Sequence, residues 1–245
     1  MANVDNIDSF NIASFNCQGF KFRNYEFIKK IFDKCSVLLI QEHWLFNFEF
    51  KVFKEVLPNC SFHALSSMCD DDLVRGRGYG GTGILWKQNT AASITPIATS
   101  SPRLCVVKYA TNTHQILIMS IYMPVNAYMH NEEFSNILNE IESLYLQYSN
   151  HEFIIGGDFN CDFIRGDERS VVLGGWVGDL GLECPALQPQ APRRPTYYTH
   201  DGRPSLLDYL FLSSCLFANL TTWDVYDHGD NMSDHSPTFV VELIR

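Results

Sequence analysis

The residues Phe153-Ile154-Ile155-Gly156-Gly157-Asp158-Phe159-Asn160 constrain the fold more than any other stretch, because a short apolar run closes there on two glycines, an aspartate and an asparagine. That is the pattern of a buried strand opening into a functional loop. On an extended chain a carboxylate and an amide two residues apart project to the same side, so Asp158 and Asn160 are expected to meet one group of ligand atoms. Asp158 suits a water or a metal, and Asn160 suits a hydrogen bond to a charged oxygen. Ordinary β-turn chemistry accounts for the same residue types.

Other runs end alike. Ile12-Ala13-Ser14-Phe15 leads into Asn16, and Val37-Leu38-Leu39-Ile40 leads into Gln41-Glu42-His43. Leu206-Leu207 precedes Asp208 and the run Tyr209-Leu210-Phe211-Leu212, while Ser233-Asp234-His235-Ser236-Pro237 opens the closing run Phe239-Val240-Val241. Polar residues at one end of several strands can converge on a single site.

Asn16, Gln41-Glu42, Ile121-Tyr122-Met123-Pro124, Gly157-Asp158-Phe159-Asn160, Leu207-Asp208-Tyr209 and Ser233-Asp234-His235 occur in one order. In that order, and over nearly its whole length, the chain resembles the endonuclease/exonuclease/phosphatase family, which includes apurinic endonucleases and DNase I. Tyr79-Gly80-Gly81-Thr82-Gly83-Ile84-Leu85, the Ile-Tyr-Met-Pro segment and the Ser-Asp-His-Ser-Pro ending look most like the endonuclease domain of non-LTR (LINE-type) retrotransposons. The resemblance implies an α/β fold, a four-layer α-β-β-α sandwich of two packed mixed or antiparallel sheets flanked by helices (DNase I-like). It also implies a magnesium-dependent endonuclease, with manganese as a substitute ion. The substrate would be double-stranded DNA, nicked in one strand to leave a 3′ hydroxyl that primes reverse transcription. The reverse transcriptase domain of the same polyprotein would be the partner and the nucleus the place of action.

Phosphodiester hydrolysis needs an in-line water, neutralised phosphoryl charge and a stabilised leaving oxygen. A hard divalent ion supplies much of the last two, and magnesium prefers a carboxylate with waters and substrate oxygens. Glu42 is thus the principal expected ligand, with Asn16 beside it. Family resemblance assigns His235 to the scissile phosphate with Asp208 orienting it, and leaves Asp234 either orienting the ring or binding a second metal. Asp158 would orient and deprotonate the water, with Asn160 and Tyr122 on phosphate oxygens. Either Asp158 or His235 could take the proton. Thr196 and Ser233 match secondary phosphate contacts of LINE-type relatives; strand-edge or turn hydroxyls are the plainer reading. Two departures stand out. Apurinic endonucleases carry a second acid where this chain has Gln18, which fits the LINE-type pattern better. The asparagine usual after Tyr-Met-Pro is replaced by Val125, with Asn126 one residue later, so Asn126 carries over weakly as a DNA contact.

At 245 residues the chain suits one large domain spanning 1–245, and its end soon after Ser-Asp-His is that expected of a domain excised from a longer polyprotein. No apolar run approaches the roughly 20 residues needed to span a bilayer, and the start lacks a signal-peptide pattern, so no membrane partner is expected. The 8 cysteines form no CxxC pair, which argues against a zinc site and for buried free thiols. A net charge of −10 is awkward for a nucleic-acid binder. Several acids belong to the site, where a cation would reverse the local field, and bases cluster as Lys21 with Arg23, Arg75 with Arg77, Arg165 with Arg169 and Arg193 with Arg194. Weak, salt-sensitive DNA binding by a monomer follows.

Helical spacing predicts helices over Asn24 to Lys34, Glu49 to Leu57, from Asn131 through Tyr145, and a short one near Val177 to Leu182. Strands are expected at Gly83 to Lys87, Leu104 to Ala110 and Gln115 to Tyr122. The glycine-rich segment Asp70–Gly81 reads as a surface loop whose Arg75 and Arg77 would touch DNA phosphates or else simply offset nearby aspartates. Asp201-Gly202, between a β-prone run and a strand, signals a hairpin. By resemblance to a groove-probing loop, His200, Asp201 and Arg203 become target-site contacts. Two other functions compete: a superfamily phosphatase acting on an inositol phosphate or lipid headgroup, and a non-catalytic DNA-binding module. The first lacks a lysine-rich pocket motif; the second requires loss of one of Asn16, Glu42, Asp158, Asn160, Asp208 or His235, and all six residue types are present.

Overall fold

The computed structural model describes residues 9–71, 77–88, 90, 92–125, 131–226 and 228–243. In chain order the elements are β1 (Ser9–Asn16), α1 (Tyr25–Lys34), β2 (Val37–Gln41), α2 (Lys51–Val56), β3 (Cys60–Leu65), β4 (Thr82–Lys87), β5 (Ser93–Ile97), β6 (Leu104–Ala110) and β7 (Gln115–Tyr122). There follow α3 (Asn131–Gln147), β8 (Glu152–Asp158), α4 (Glu168–Asp179), β9 (Leu182–Glu183), β10 (Tyr197–Tyr198), β11 (Pro204–Ser205), β12 (Asp208–Ser213), α5 (Ser214–Ala218), β13 (Leu220–Val225) and β14 (Thr238–Leu243).

Two six-stranded sheets run β13-β14-β1-β2-β4-β3 and β5-β6-β7-β8-β12-β9. Each holds one parallel pair, β1 with β2 and β7 with β8, among antiparallel neighbours. A parallel pair needs a crossover, and α1 and α3 supply it. Three apolar cores separate four layers, as the α-β-β-α expectation requires. Ile12, Val37 and Leu39 of one sheet meet Val107, Ile118, Ile154 and Leu210 of the other. Phe27, Ile28 and Ile31 of α1 and Phe53 of α2 cover the first sheet. Ile137, Ile141 and Leu144 of α3, with Leu173 and Trp176 of α4, cover the second. Each such fully buried side chain contributes about 1.5–3 kcal/mol.

The strand ends depend on one glycine. A Cβ at Gly157, whose φ is +149°, would stand 1.9 Å from the Ile121 carbonyl oxygen. Only glycine lets β8 run this close beside β7 at the mouth of the site.

Several expectations move. The helix expected from Asn24 starts at Tyr25, with Asn24 at its N-cap position; the buried Asn24 amide makes no cap bond and donates instead to the carbonyls of Cys17 (2.8 Å) and Gly19 (2.9 Å), pinning the loop after β1. Residues Asn47–Glu49 form a separate 3-10 turn before the shorter α2. The helix expected near Val177 to Leu182 lies earlier, at Glu168–Asp179, and Leu182 is in β9. Asp167 caps it by accepting the Ser170 N–H at 2.9 Å. Gly174, Gly175 and Gly178 lower its propensity, and burial of Leu173, Trp176 and Val177 outweighs them. Arg75 and Asn126 fall outside the described residues.

Candidate active site

Asn16 ends β1, Glu42 follows β2, Tyr122 ends β7 and Asp158 ends β8; Asp208 begins β12 and pairs in register with Asp158, and His235 sits just before β14. Hydrogen bonds and one longer charge contact join them. Asn16 Nδ2 donates to Glu42 Oε1 and to Asp158 Oδ2, both at 3.0 Å. His235 Nδ1 lies 2.8 Å from Asp208 Oδ2, and its Nε2 lies 3.8 Å from Asp158 Oδ2 and 3.7 Å from Asp234 Oδ1. One connected path therefore runs Glu42–Asn16–Asp158–His235–Asp208 across both sheets. The Tyr122 phenol lies near enough to feel the Glu42 and Asp158 carboxylates.

Burial controls the electrostatics. Asn16, Asp158, Asp208 and His235 are buried, while Glu42, Tyr122, Asn160 and Asp234 are half-buried. Burial alone would pull the His235 imidazole down, but the Asp208 carboxylate, then Asp158 and Asp234, outweigh it and hold it at about 10. Burial pushes Asp158 up to about 7; the His235 charge opposes this and the Asp208 carboxylate adds to it. Burial, then the Glu42 and Asp158 charges, lifts the Tyr122 phenol well above its ordinary range.

Some residues stand differently from the sequence expectation. The chain leaves the extended conformation after Asp158, and Asn160 has a φ of +47°. An asparagine tolerates this left-handed turn better than most residues. Its N–H donates to Asp158 Oδ1 (2.8 Å) and its Nδ2 to the Met123 carbonyl (2.8 Å), so Asn160 braces Asp158 through a turn and not through strand alternation. Asn16 directs its amide nitrogen at the two carboxylates and its oxygen at the Gln18 N–H (3.2 Å), bridging the acids where a metal-ligating oxygen was expected. Thr196 is fully buried, and its Oγ1 accepts the N–H groups of Leu207 and Asp208, which supports Asp208 and leaves no surface for a phosphate. Ser233 Oγ donates to the Asn16 carbonyl (2.8 Å) and accepts the His235 N–H (3.1 Å), stapling the histidine turn to β1.

The hairpin forms as predicted, from β10 and β11, and leaves His200, Asp201 and Arg203 exposed. His200 borders a cleft of about 550 Å³ that Ser233 and Asp234 also line. Arg77 is exposed, its guanidinium 4.4 Å from the centre of the Trp44 ring. Sequence reasoning missed two supports. Asn231 donates to the His235 carbonyl (2.6 Å) and accepts the Ser233 N–H (3.0 Å), an Asx turn for which Asn two residues before Ser was the available signal. Gln41 Nε2 donates to Ser120 Oγ at 3.0 Å, tying β2 to β7 across the sandwich; no local pattern announces this contact.

The donor set fits a hard divalent cation. Ligand atoms of Asp158, Asp208 and His235 lie within 4.8 Å of one another. Asp208 Oδ1 is buried with no hydrogen-bond partner among the described residues, and Asp234 Oδ1, also without a hydrogen bond, has the His235 ring at 3.7 Å; a buried carboxylate oxygen left bare as at Asp208 is costly unless something charged meets it. Glu42 accepts one bond on each oxygen and keeps free lone pairs.

Fold and site together define an endonuclease/exonuclease/phosphatase-type sandwich. Residues 116–239 match the endonuclease-reverse transcriptase family, and the chain belongs to that family. Among solved structures it is similar to the endonuclease domain of TRAS1, a telomere-specific non-LTR retrotransposon, with TM-score 0.73, 19% identity, and 96% of this chain and 98% of that one covered. It is similar as well to the AP endonuclease LMAP from Leishmania major, with TM-score 0.77, 17% identity, and 97% and 88% of the two chains covered. A third is the 3′ phosphatase NExo from Neisseria bound to product DNA hairpin, with TM-score 0.68, 14% identity, and 94% and 98% covered. No curated protein matches the sequence. No helix among the described residues is long and apolar enough to cross a membrane.

Proposed function

We propose that the protein is a divalent-metal-dependent DNA endonuclease that nicks one strand of duplex DNA and leaves a 3′ hydroxyl to prime reverse transcription. The observation that carries this reading is the unbroken path from Glu42 through Asn16, Asp158 and His235 to Asp208. Magnesium, or manganese in its place, would be held by Glu42 with Asp234, and would supply charge neutralisation at the phosphoryl group and the leaving oxygen.

The chain's own groups divide the remaining work. His235, held at about 10, is an imidazolium at neutral pH and therefore a hydrogen-bond donor to a phosphate oxygen. Asp158, raised to about 7, is the group matched to accepting a proton from water near neutral pH. Asp208 fixes the ring, since Nδ1 is committed to it and Nε2 is left facing Asp158 and Asp234. The second Asn160 amide hydrogen, held only at 3.4 Å from Asp158 Oδ2, is free to turn to a non-bridging oxygen, and the Tyr122 phenol faces the same side as Glu42.

The TRAS1 likeness and the family match support a retrotransposon setting. The reverse transcriptase domain of one polyprotein is then the partner, and chromosomal DNA in the nucleus the target. Purified protein should relax supercoiled plasmid with magnesium or manganese and stop in EDTA, and the nick should be extended directly by a polymerase. His235→Ala and Asp158→Ala should each abolish nicking; activity retained in both would remove the mechanism.

A further inference from the structure

Trp44 takes no part in the mechanism above, yet the local backbone is shaped around it. Glu42 and Trp44 have φ of +52° and +57°, a conformation non-glycine residues adopt only where their surroundings hold it. The two turns fold the indole back so that Nε1 donates to Glu42 Oε2 at 3.0 Å. Asn16 holds the other oxygen at 3.0 Å, so the carboxylate is fixed from both sides. The ring is 5% exposed and its socket is tight. A Cβ at Gly19 would stand 2.6 Å from the ring, and one at Gly78 would stand 2.9 Å from the Trp44 carbonyl oxygen. Two exposed cations stack on the same ring, Lys21 Nζ at 4.8 Å and Arg77 Cζ at 4.4 Å from its centre. Both cations are exposed, and neither forms an ion pair with a carboxylate among the described residues.

We propose that Trp44 is a positioning residue: its N–H sets the Glu42 carboxylate toward the cation, while its ring carries Lys21 and Arg77 as a seat for one DNA phosphate in fixed register with that carboxylate. This rests on the endonuclease reading and adds to it a residue with two separable duties. The indole N–H belongs to the metal side and the ring face to the phosphate side.

The duties come apart by substitution. Manganese alone is titrated by water-proton relaxation, and a fluorescent 20-mer duplex is titrated in EDTA by anisotropy over a range of salt. Trp44→Phe keeps a ring and loses the N–H, so the manganese dissociation constant should rise about tenfold or more, as for other outer-shell ligand supports, with DNA affinity in EDTA unchanged. Lys21→Met with Arg77→Met should do the reverse, weakening DNA binding and lowering the salt slope by about one, with manganese affinity unchanged. Should Trp44→Phe loosen the fold, benzothienylalanine at position 44 keeps the bicyclic shape without the N–H and should behave as Phe does. Manganese affinity equal to wild type in either Trp44 variant, with wild-type nicking intact, overturns this inference alone. A wild type that binds no manganese and cuts nothing removes the endonuclease reading along with it.

Discussion

His235 Nδ1 lies 2.8 Å from Asp208 Oδ2 inside the protein, both side chains being almost completely shielded from water. A charge pair so placed decides the state of the ring. Asp208→Asn keeps the shape and deletes the charge that most strongly holds His235 up. Single-turnover nicking should fall about ten-thousandfold, in line with a carboxylate-to-amide change behind another catalytic histidine. In parallel, imidazole NMR should show His235 titrating well below its wild-type value. An unchanged His235 titration would sever the link between the two residues.

His43, next to Glu42 in the chain, gives the fold an acid-sensitive point of its own. Nδ1 accepts the Leu45 N–H at 3.0 Å and Nε2 donates to the Leu65 carbonyl at 3.0 Å, so the neutral ring is fully satisfied. Burial pulls its pKa down to about 4, against the raising effect of the Leu65 and Thr82 carbonyls. The unfolded chain binds this proton from about pH 6.5 and the folded chain only near 4. Stability from this group is complete above pH 6.5 and is lost as pH falls toward 4, by about 3 kcal/mol in all. Urea melts in EDTA across that window should show the loss, and His43→Gln should flatten the curve. Parallel curves for the two proteins would refute it.

How much of this was legible depended on whether a structural cause was local. The strand-end residues Asn16, Glu42, Asp158, Asp208 and His235 could be named because each closes or opens a short apolar run, and the sandwich then brings those ends together. The turn that seats Asn160 was not legible, because alternation along an extended chain says nothing of where the strand stops. Gln41 bonds Ser120 across 79 residues of sequence, and the indole clamp on Glu42 depends on glycines from two separate loops. Between the two readings open for Thr196 only the folded chain decides: its hydroxyl accepts the N–H groups of Leu207 and Asp208, as a strand-edge hydroxyl does.

Helix α4 shows propensity and packing in opposition, and this can be measured. A Cβ added at Gly174 or Gly175 meets nothing within 4 Å, and neither glycine has a positive φ. Gly174→Ala and Gly175→Ala should each stabilise the protein by about 0.5–1 kcal/mol. Gly157→Ala should do the opposite, since its Cβ would overlap the Ile121 carbonyl, and should cost about 4 kcal/mol or prevent folding. Chemical denaturation of the three variants reads both signs. Equal effects at positions 157 and 174 would contradict the packing described for β8.

On the proposed reading, in which the hairpin meets DNA, its tip carries its own brake on binding. Arg203 Nε lies 2.8 Å from Asp201 Oδ2, Thr199 hydrogen-bonds Asp201, and all of it is solvent-facing in a chain of net charge −10. A guanidinium already shared with a carboxylate offers a phosphate less than a free one does. Asp201→Asn removes the competing acid and keeps a side chain able to bond Thr199. Duplex affinity at low salt should therefore rise a few-fold, with the salt slope steeper by about one phosphate contact. Arg203→Met should move both quantities the other way. Thermal melting should stay unchanged in each variant, because an exposed pair contributes little to stability. If the two variants bind and cut DNA as the wild type does, at every salt concentration, the hairpin does not touch the substrate, and the cleft beside Asp234 must be filled from another side.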